Sequence, residues 1–280
     1  MANSVPETIS STDGVVLRVY HLGGSGPPLL MSHATGFCGQ VWQPMADTMA
    51  DTYSCYAWDF RAHGRSTRPI DKELVWSGYA ADVLAIAAVI SPDEPVAAIG
   101  HSMGGTALAL AEVAKPGTLS KAWTFEPILF GADHLGEDSE PSQIATGARR
   151  RRAVFDSRDE VYERYSSRPP LSMLDPRALQ AYVDHGFEDL EDGTVRLRCR
   201  PEDEADTFEN HNSGASTIVG QLTIPFAAAA SGDNLPPAIA VKAAAATFSN
   251  VELLTYNELS HFGPLQDPDG MAKDVLKWLA

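Results

Sequence analysis

Short apolar runs alternate with amphipathic stretches along most of this chain. Val15–Tyr20, Leu29–Ser32, Ser54–Trp58, Val96–Ile99 and Ala122–Phe125 are brief and apolar, which predicts strands, several of them buried. Between them, Trp42–Met49, Trp76–Ile90 and Met103–Ala114 carry apolar residues at helical spacing. Gly23–Pro28 and Asp59–Ser66 are turn-rich joins. The rhythm breaks near Ile128. From there to His211 no strand run is evident, and charged, helix-like segments take over: Gln143–Phe155, Arg158–Tyr165, Pro176–His185 and Glu202–Phe208. Alternation resumes with a strand over Pro225–Ser231, a helix over Pro237–Phe248, a strand over Val251–Thr255 and a closing helix over Asp269–Leu279. Strands alternating with helices predict an α/β fold with a mostly parallel sheet covered on both faces. The predicted core is 1–127 with 213–280, and 128–212 is a helical insertion.

In such sheets, sites form outside the carboxyl ends of the strands. Here those ends carry His33, Thr35, Asp59, Ser102, Glu126, Asp233 and His261. Ser102 stands in Gly100-His101-Ser102-Met103-Gly104, between an apolar strand and an Ala/Leu-rich helix. That is the setting of a nucleophile elbow, a sharp turn that lifts the serine hydroxyl clear of the sheet. The glycines let strand and helix pass closely. The Met103 amide, at the helix start, is placed to meet an oxyanion, and the Thr35 amide is its positional partner. A serine hydroxyl needs a base. Of eight histidines, His261 follows the last strand and can reach over the elbow. His101 is expected to point away along the elbow, and His63 to bond backbone in its own loop. His134, His185 and His211 fall in the insertion and are expected in solvent. The base needs an orienting carboxylate. Asp233 and Glu126 both qualify by position, and spacing leaves the choice between them open. Asp59, Arg61 and His63 are expected to stabilise their loop through an internal Asp–Arg pair.

Composition narrows the classes of function. The 280 residues are 44% apolar, enough for one substantial core with an insertion. A net charge of −16 argues against nucleic acid and anionic membrane as partners. The first residues lack the basic start and apolar run of a signal peptide, and Ile224–Ser231 is far too short to span a bilayer. Cys38, Cys55 and Cys199 make no metal pattern and are expected as buried free thiols in a cytoplasmic protein. No metal-ligand motif such as His-Glu-x-x-His is present in the sequence, and no cofactor is called for.

The set His33-Ala34-Thr35-Gly36-Phe37, Asp59–Ser66, Gly100–Gly105, Ser231-Gly232-Asp233 and His261–Leu265 resembles the α/β-hydrolase superfamily. The likeness covers the chain outside the insertion. It implies a central sheet of about eight strands, a helical cap inserted after the sixth, and a Ser102–acid–His261 triad. The acid in most members matches Asp233. In a minority, including lactonase-like ones, it matches Glu126. The resemblance implies a serine hydrolase acting on a small-molecule ester or lactone, and a homodimer is left open. Carbon–carbon bond hydrolysis and cofactor-free perhydrolysis are alternatives within the fold, as is a small-ligand receptor with little turnover. The insertion also carries Arg149–Arg152, Arg158, Arg164 and Arg168. A solvated face paired with acids is the plain expectation. The sharper one is a single arginine facing the cleft and gripping a substrate carboxylate.

Overall fold

The computed structural model describes residues 5–71, 73–129, 143–209, 214–233 and 235–280. Eight strands form the central sheet: β1 (Thr8–Ser10), β2 (Val16–Gly23), β3 (Pro28–Ser32), β4 (Ser54–Trp58), β5 (Val96–His101), β6 (Leu119–Phe125), β10 (Phe226–Ser231) and β11 (Val251–Tyr256). Their order is β1-β2-β4-β3-β5-β6-β10-β11. The run from β4 to β11 is parallel, and β1 and β2 add an antiparallel edge. The period-2 geometry of strands divides the core in two. Leu30, Ala98, Ala228 and Ala230 pack with α2 (Trp76–Ile90), α3 (Met103–Ala114) and α9 (Pro236–Thr247). Leu29, Met31, Ile99, Ala227 and Ala229 pack on the other face, with α1 (Gln43–Met49) and α11 (Pro268–Leu279). The four alanines of β10 are all fully buried. Helices cover the sheet on both faces, as the alternation predicts.

The segment 143–209 is less purely helical than its sequence suggests. It holds α4 (Gln143–Arg149), α5 (Arg158–Ser166), α6 (Pro176–His185) and α7 (Pro201–Glu209). Between them β7 (Val154–Phe155), β8 (Phe187–Asp189) and β9 (Val195–Leu197) form a small antiparallel sheet in the order β7-β9-β8. Runs of two and three residues are too short for alternation to declare them. The predicted helix over Gln143–Phe155 accordingly stops at Arg149, and its tail joins this sheet. The joins at 130–142 and 210–213, with His134 and His211, lie outside the described residues.

The loop after β4 is braced differently from the expected Asp–Arg pair. Asp59 accepts hydrogen bonds from the Gly39 and Arg65 amides and from the Tyr20 hydroxyl. Arg61 instead meets Asp82 on α2, with its Nε at 3.0 Å and Nη2 at 2.8 Å from the carboxylate. Both side chains are 0% exposed. Gly78 makes room for this, because a Cβ there would lie 2.2 Å from the Arg61 guanidinium. His63 bonds the Arg61 carbonyl, as expected. Cys38, Cys55 and Cys199 are buried and unpaired. Among the described residues no helix is long and apolar enough to cross a membrane.

Candidate active site

Ser102 sits between β5 and α3 with φ 52° and ψ −117°, a conformation L-residues seldom adopt. The surroundings enforce it. Its amide donates to the Phe125 carbonyl of β6. A Cβ on Gly104 would lie 2.4 Å from the Ser32 carbonyl oxygen, and one on Gly100 2.7 Å from the Gly105 backbone. Strand and helix meet so closely that only glycine fits on either side of the nucleophile. Met103 opens α3, so its amide has no acceptor within the helix.

Glu126 follows β6, also at positive φ, 42°. The backbone there turns out of the sheet and sends a fully buried carboxylate toward β10 and the His261 turn. One oxygen accepts from the Ser231 amide at 2.7 Å, and the other lies 2.6 Å from His261 Nδ1. Burial opposes ionisation of Glu126, but the bonds from His261 and Ser231 outweigh it and hold the carboxyl below its ordinary range. An ionised carboxylate only accepts, so Nδ1 of His261 carries a proton, and in a neutral ring Nε2 is then the nitrogen with the lone pair. Of the two candidate acids, geometry thus brings Glu126 to the imidazole. Asp233 lies beyond, its amide donating to Ser231 Oγ at 3.2 Å.

His101 does not simply point away along the elbow. As the last residue of β5 it is buried under the His261 turn, and its Nε2 donates to the His261 carbonyl at 2.7 Å. Burial, reinforced by the nearby His261, drives its pKa well down, so the ring stays neutral. It anchors the turn without placing a positive charge beside His261.

Ser102, His261 and Thr35 line one cavity of about 430 Å³, within the usual small-molecule range. Among the described residues the Ser102 hydroxyl carries no hydrogen bond. Enzymes without substrate often leave that bond open. The 143–209 side of the cavity holds Arg151, which bonds Glu204 and the hydroxyls of Tyr165 and Tyr182. Tyr182 in turn donates to the Gly36 carbonyl in the loop after β3, tying α6 to the Thr35 segment. This cluster escaped the sequence. Glu204 and Tyr182 carry no local signature, and only the fold brings them to Arg151. The neighbouring arginines behave as the plain expectation has it: Arg149 pairs with Asp206 and Glu209, Arg152 with Glu160, and Arg158 with Asp189. His185 of α6 is half-buried.

Three buried neutral histidines around this site give the fold a pH signature. Burial, helped by the neighbouring His63, pushes His33 down from 6.5 to about 3. His63 and His101 are lowered too, chiefly by burial. Each binds its proton less well folded than unfolded. Their effect is therefore absent above 6.5 and grows as pH falls below it. For His33 alone this amounts to about 2 kcal/mol at pH 5. Thermal melts should show Tm at pH 5 roughly 5 °C or more below that at pH 7. Glu126, held low, acts only below about 4.5. Asp59, raised by burial, works in the opposite direction. A flat Tm across this window in Asp59→Asn, which removes that opposition, would contradict the burial of these rings.

A family model described as the alpha/beta hydrolase family matches residues 29–274, and the chain belongs to that family. Among curated relatives, the probable protein phosphatase methylesterase 1 of Caenorhabditis elegans is 36% identical over 100 residues, covering 34% of this chain and 28% of that protein. The match thus spans little more than a quarter of that relative's length. Among solved structures, the esterase RhEst1 from Rhodococcus sp. ECU1013 superposes with a TM-score of 0.72 at 22% identity, covering 99% of this chain and 98% of that one. The peroxisomal alpha-beta-hydrolase Lpx1 of Saccharomyces cerevisiae gives 0.77 at 17% identity, covering 100% and 85%.

Proposed function

We propose that this protein is a serine hydrolase that cleaves a small carboxylic ester or lactone, with Ser102 as nucleophile, His261 as general base and Glu126 as its orienting acid. The observation that carries this reading is the 2.6 Å contact of Glu126 with His261 Nδ1, beside a strained Ser102 on the same cavity. Nε2 of His261 takes the Ser102 proton as Oγ bonds to the carbonyl carbon. The Met103 and Thr35 amides meet the tetrahedral oxyanion. The C–O bond then breaks, and His261 gives its proton to the departing alkoxide. Water, deprotonated by His261, attacks the acyl-enzyme, and the acid leaves with Ser102 restored. Residues 128–212 serve as the cap that shapes the substrate, over a core of 1–127 and 213–280. The methylesterase and esterase named among the relatives support ester chemistry, at low identity.

Fluorophosphonate labelling tests the reading. The parent protein is expected to label on Ser102 and to release p-nitrophenol from p-nitrophenyl acetate. Ser102→Ala should do neither, with an unchanged melting curve. Labelling that persists in Ser102→Ala, or saturable ligand binding without turnover in the parent, would overturn it.

A further inference from the structure

Arg151 lies in the cavity with Ser102 and His261, where a charged group decides which substrates can enter. Its side chain is 23% exposed and that of Glu204 is 9% exposed, so the pair is largely withdrawn from water. Burial opposes the charge on Arg151, but Tyr182, Glu204 and Tyr165 more than offset it, and the guanidinium stays ionised. One Nη1–H goes to Glu204, and Nη2 serves Tyr165 at 3.3 Å and Tyr182 at 2.9 Å. Among the described residues no further acceptor meets it. A guanidinium has more N–H donors than these three bonds use. One Nη1–H and the Nε–H remain, on a residue that lines the cavity. The walls around it are apolar, with Ile144, Leu171 and Phe208.

Charge decides what those donors accept. Glu204 already neutralises Arg151. A substrate carboxylate bound there would lie beside the Glu204 carboxylate, and like charges in a partly dry site repel strongly. A neutral oxygen meets no such opposition and still gains a charge-assisted hydrogen bond. We propose that the Arg151–Glu204 pair is a specificity element that selects an uncharged acyl group bearing a distal carbonyl or similar oxygen acceptor, and rejects acyl groups ending in a carboxylate. This rests on the serine-hydrolase reading above and names its substrate class. It also reverses the simple idea that a cleft arginine grips an acid.

Three p-nitrophenyl esters of matched length test it: the hexanoate, the 5-oxohexanoate and the hydrogen glutarate. In the parent, kcat/KM for the 5-oxohexanoate should exceed that for the hydrogen glutarate by about tenfold or more, and should exceed that for the hexanoate severalfold. Glu204→Gln keeps the side-chain shape and removes the charge. It should shift the ratio by about tenfold or more toward the hydrogen glutarate. Arg151→Met should erase the advantage of the 5-oxohexanoate over the hexanoate. These are ratios within one variant, so partial misfolding cannot produce them. A parent that prefers the hydrogen glutarate, or a Glu204→Gln variant with unchanged ratios, overturns the proposal. Binding of hexanamide, 5-oxohexanamide and glutaramate to Ser102→Ala and to its Glu204→Gln double variant, by calorimetry, separates the two levels. If the binding order follows the pair but no ester turns over, the hydrolase reading fails and the specificity element stands. If the amides bind without order, the specificity element fails whatever the turnover.

Discussion

Glu126→Gln is expected to lower kcat by about three to four orders of magnitude, while Asp233→Asn leaves it within about threefold. The reason lies in one proton. The Glu126 carboxylate accepts from His261 Nδ1, which in the proposed mechanism leaves Nε2 to take the Ser102 proton. A glutamine amide facing Nδ1 would donate instead, drawing the imidazole into the opposite tautomer with its proton toward the serine. Its carbonyl could keep the Ser231 amide bond, so the loop holds while the chemistry fails. Asp233 meets this network only through its amide, on Ser231 Oγ. Steady-state kinetics on any ester the parent hydrolyses will decide. A large loss in Asp233→Asn with a mild one in Glu126→Gln would move the acid to the other strand.

Asp82→Ala is expected to cost about 3–5 kcal/mol of stability, a fall in Tm of roughly 10 °C or more. The carboxylate bonds the Arg61 amide, Nε and Nη2 as well as the Ser11 hydroxyl. Removing it strands a fully buried guanidinium whose other carboxylate partner, Asp13, stands at 3.3 Å. Arg152→Ala is the control. Its partner Glu160 is a third exposed, and such pairs contribute about 1 kcal/mol or less. Equal losses in the two variants would contradict the buried pair's special standing.

Features dictated by neighbours in the chain were legible beforehand, and those dictated by distant neighbours were not. Gly100 and Gly104 around Ser102 announce the elbow because the five-residue pattern is itself local, although the Ser32 carbonyl that Gly104 makes room for is distant in sequence. The strand β10 is legible because its apolar run, 226–230, is short and continuous. The partner of Arg61 is different. It stands 21 residues away on α2, and Asp59, although nearer in sequence, is taken by backbone amides. The choice between Glu126 and Asp233 likewise depends on which strand end faces the imidazole, a matter of a few ångströms that residue spacing does not encode. Arg151 with Glu204 and Tyr182 is assembled from three separate segments of 143–209 and could only be found in the folded chain.

The positions of Ser102 and Glu126 on adjacent strands have an engineering consequence. In the proposed triad, Glu126 reaches His261 directly, and Asp233 enters only through its amide on Ser231 Oγ. Under that proposal Asp233 carries no chemical duty. Its position is then a natural splice point for a reporter peptide or a longer recognition loop.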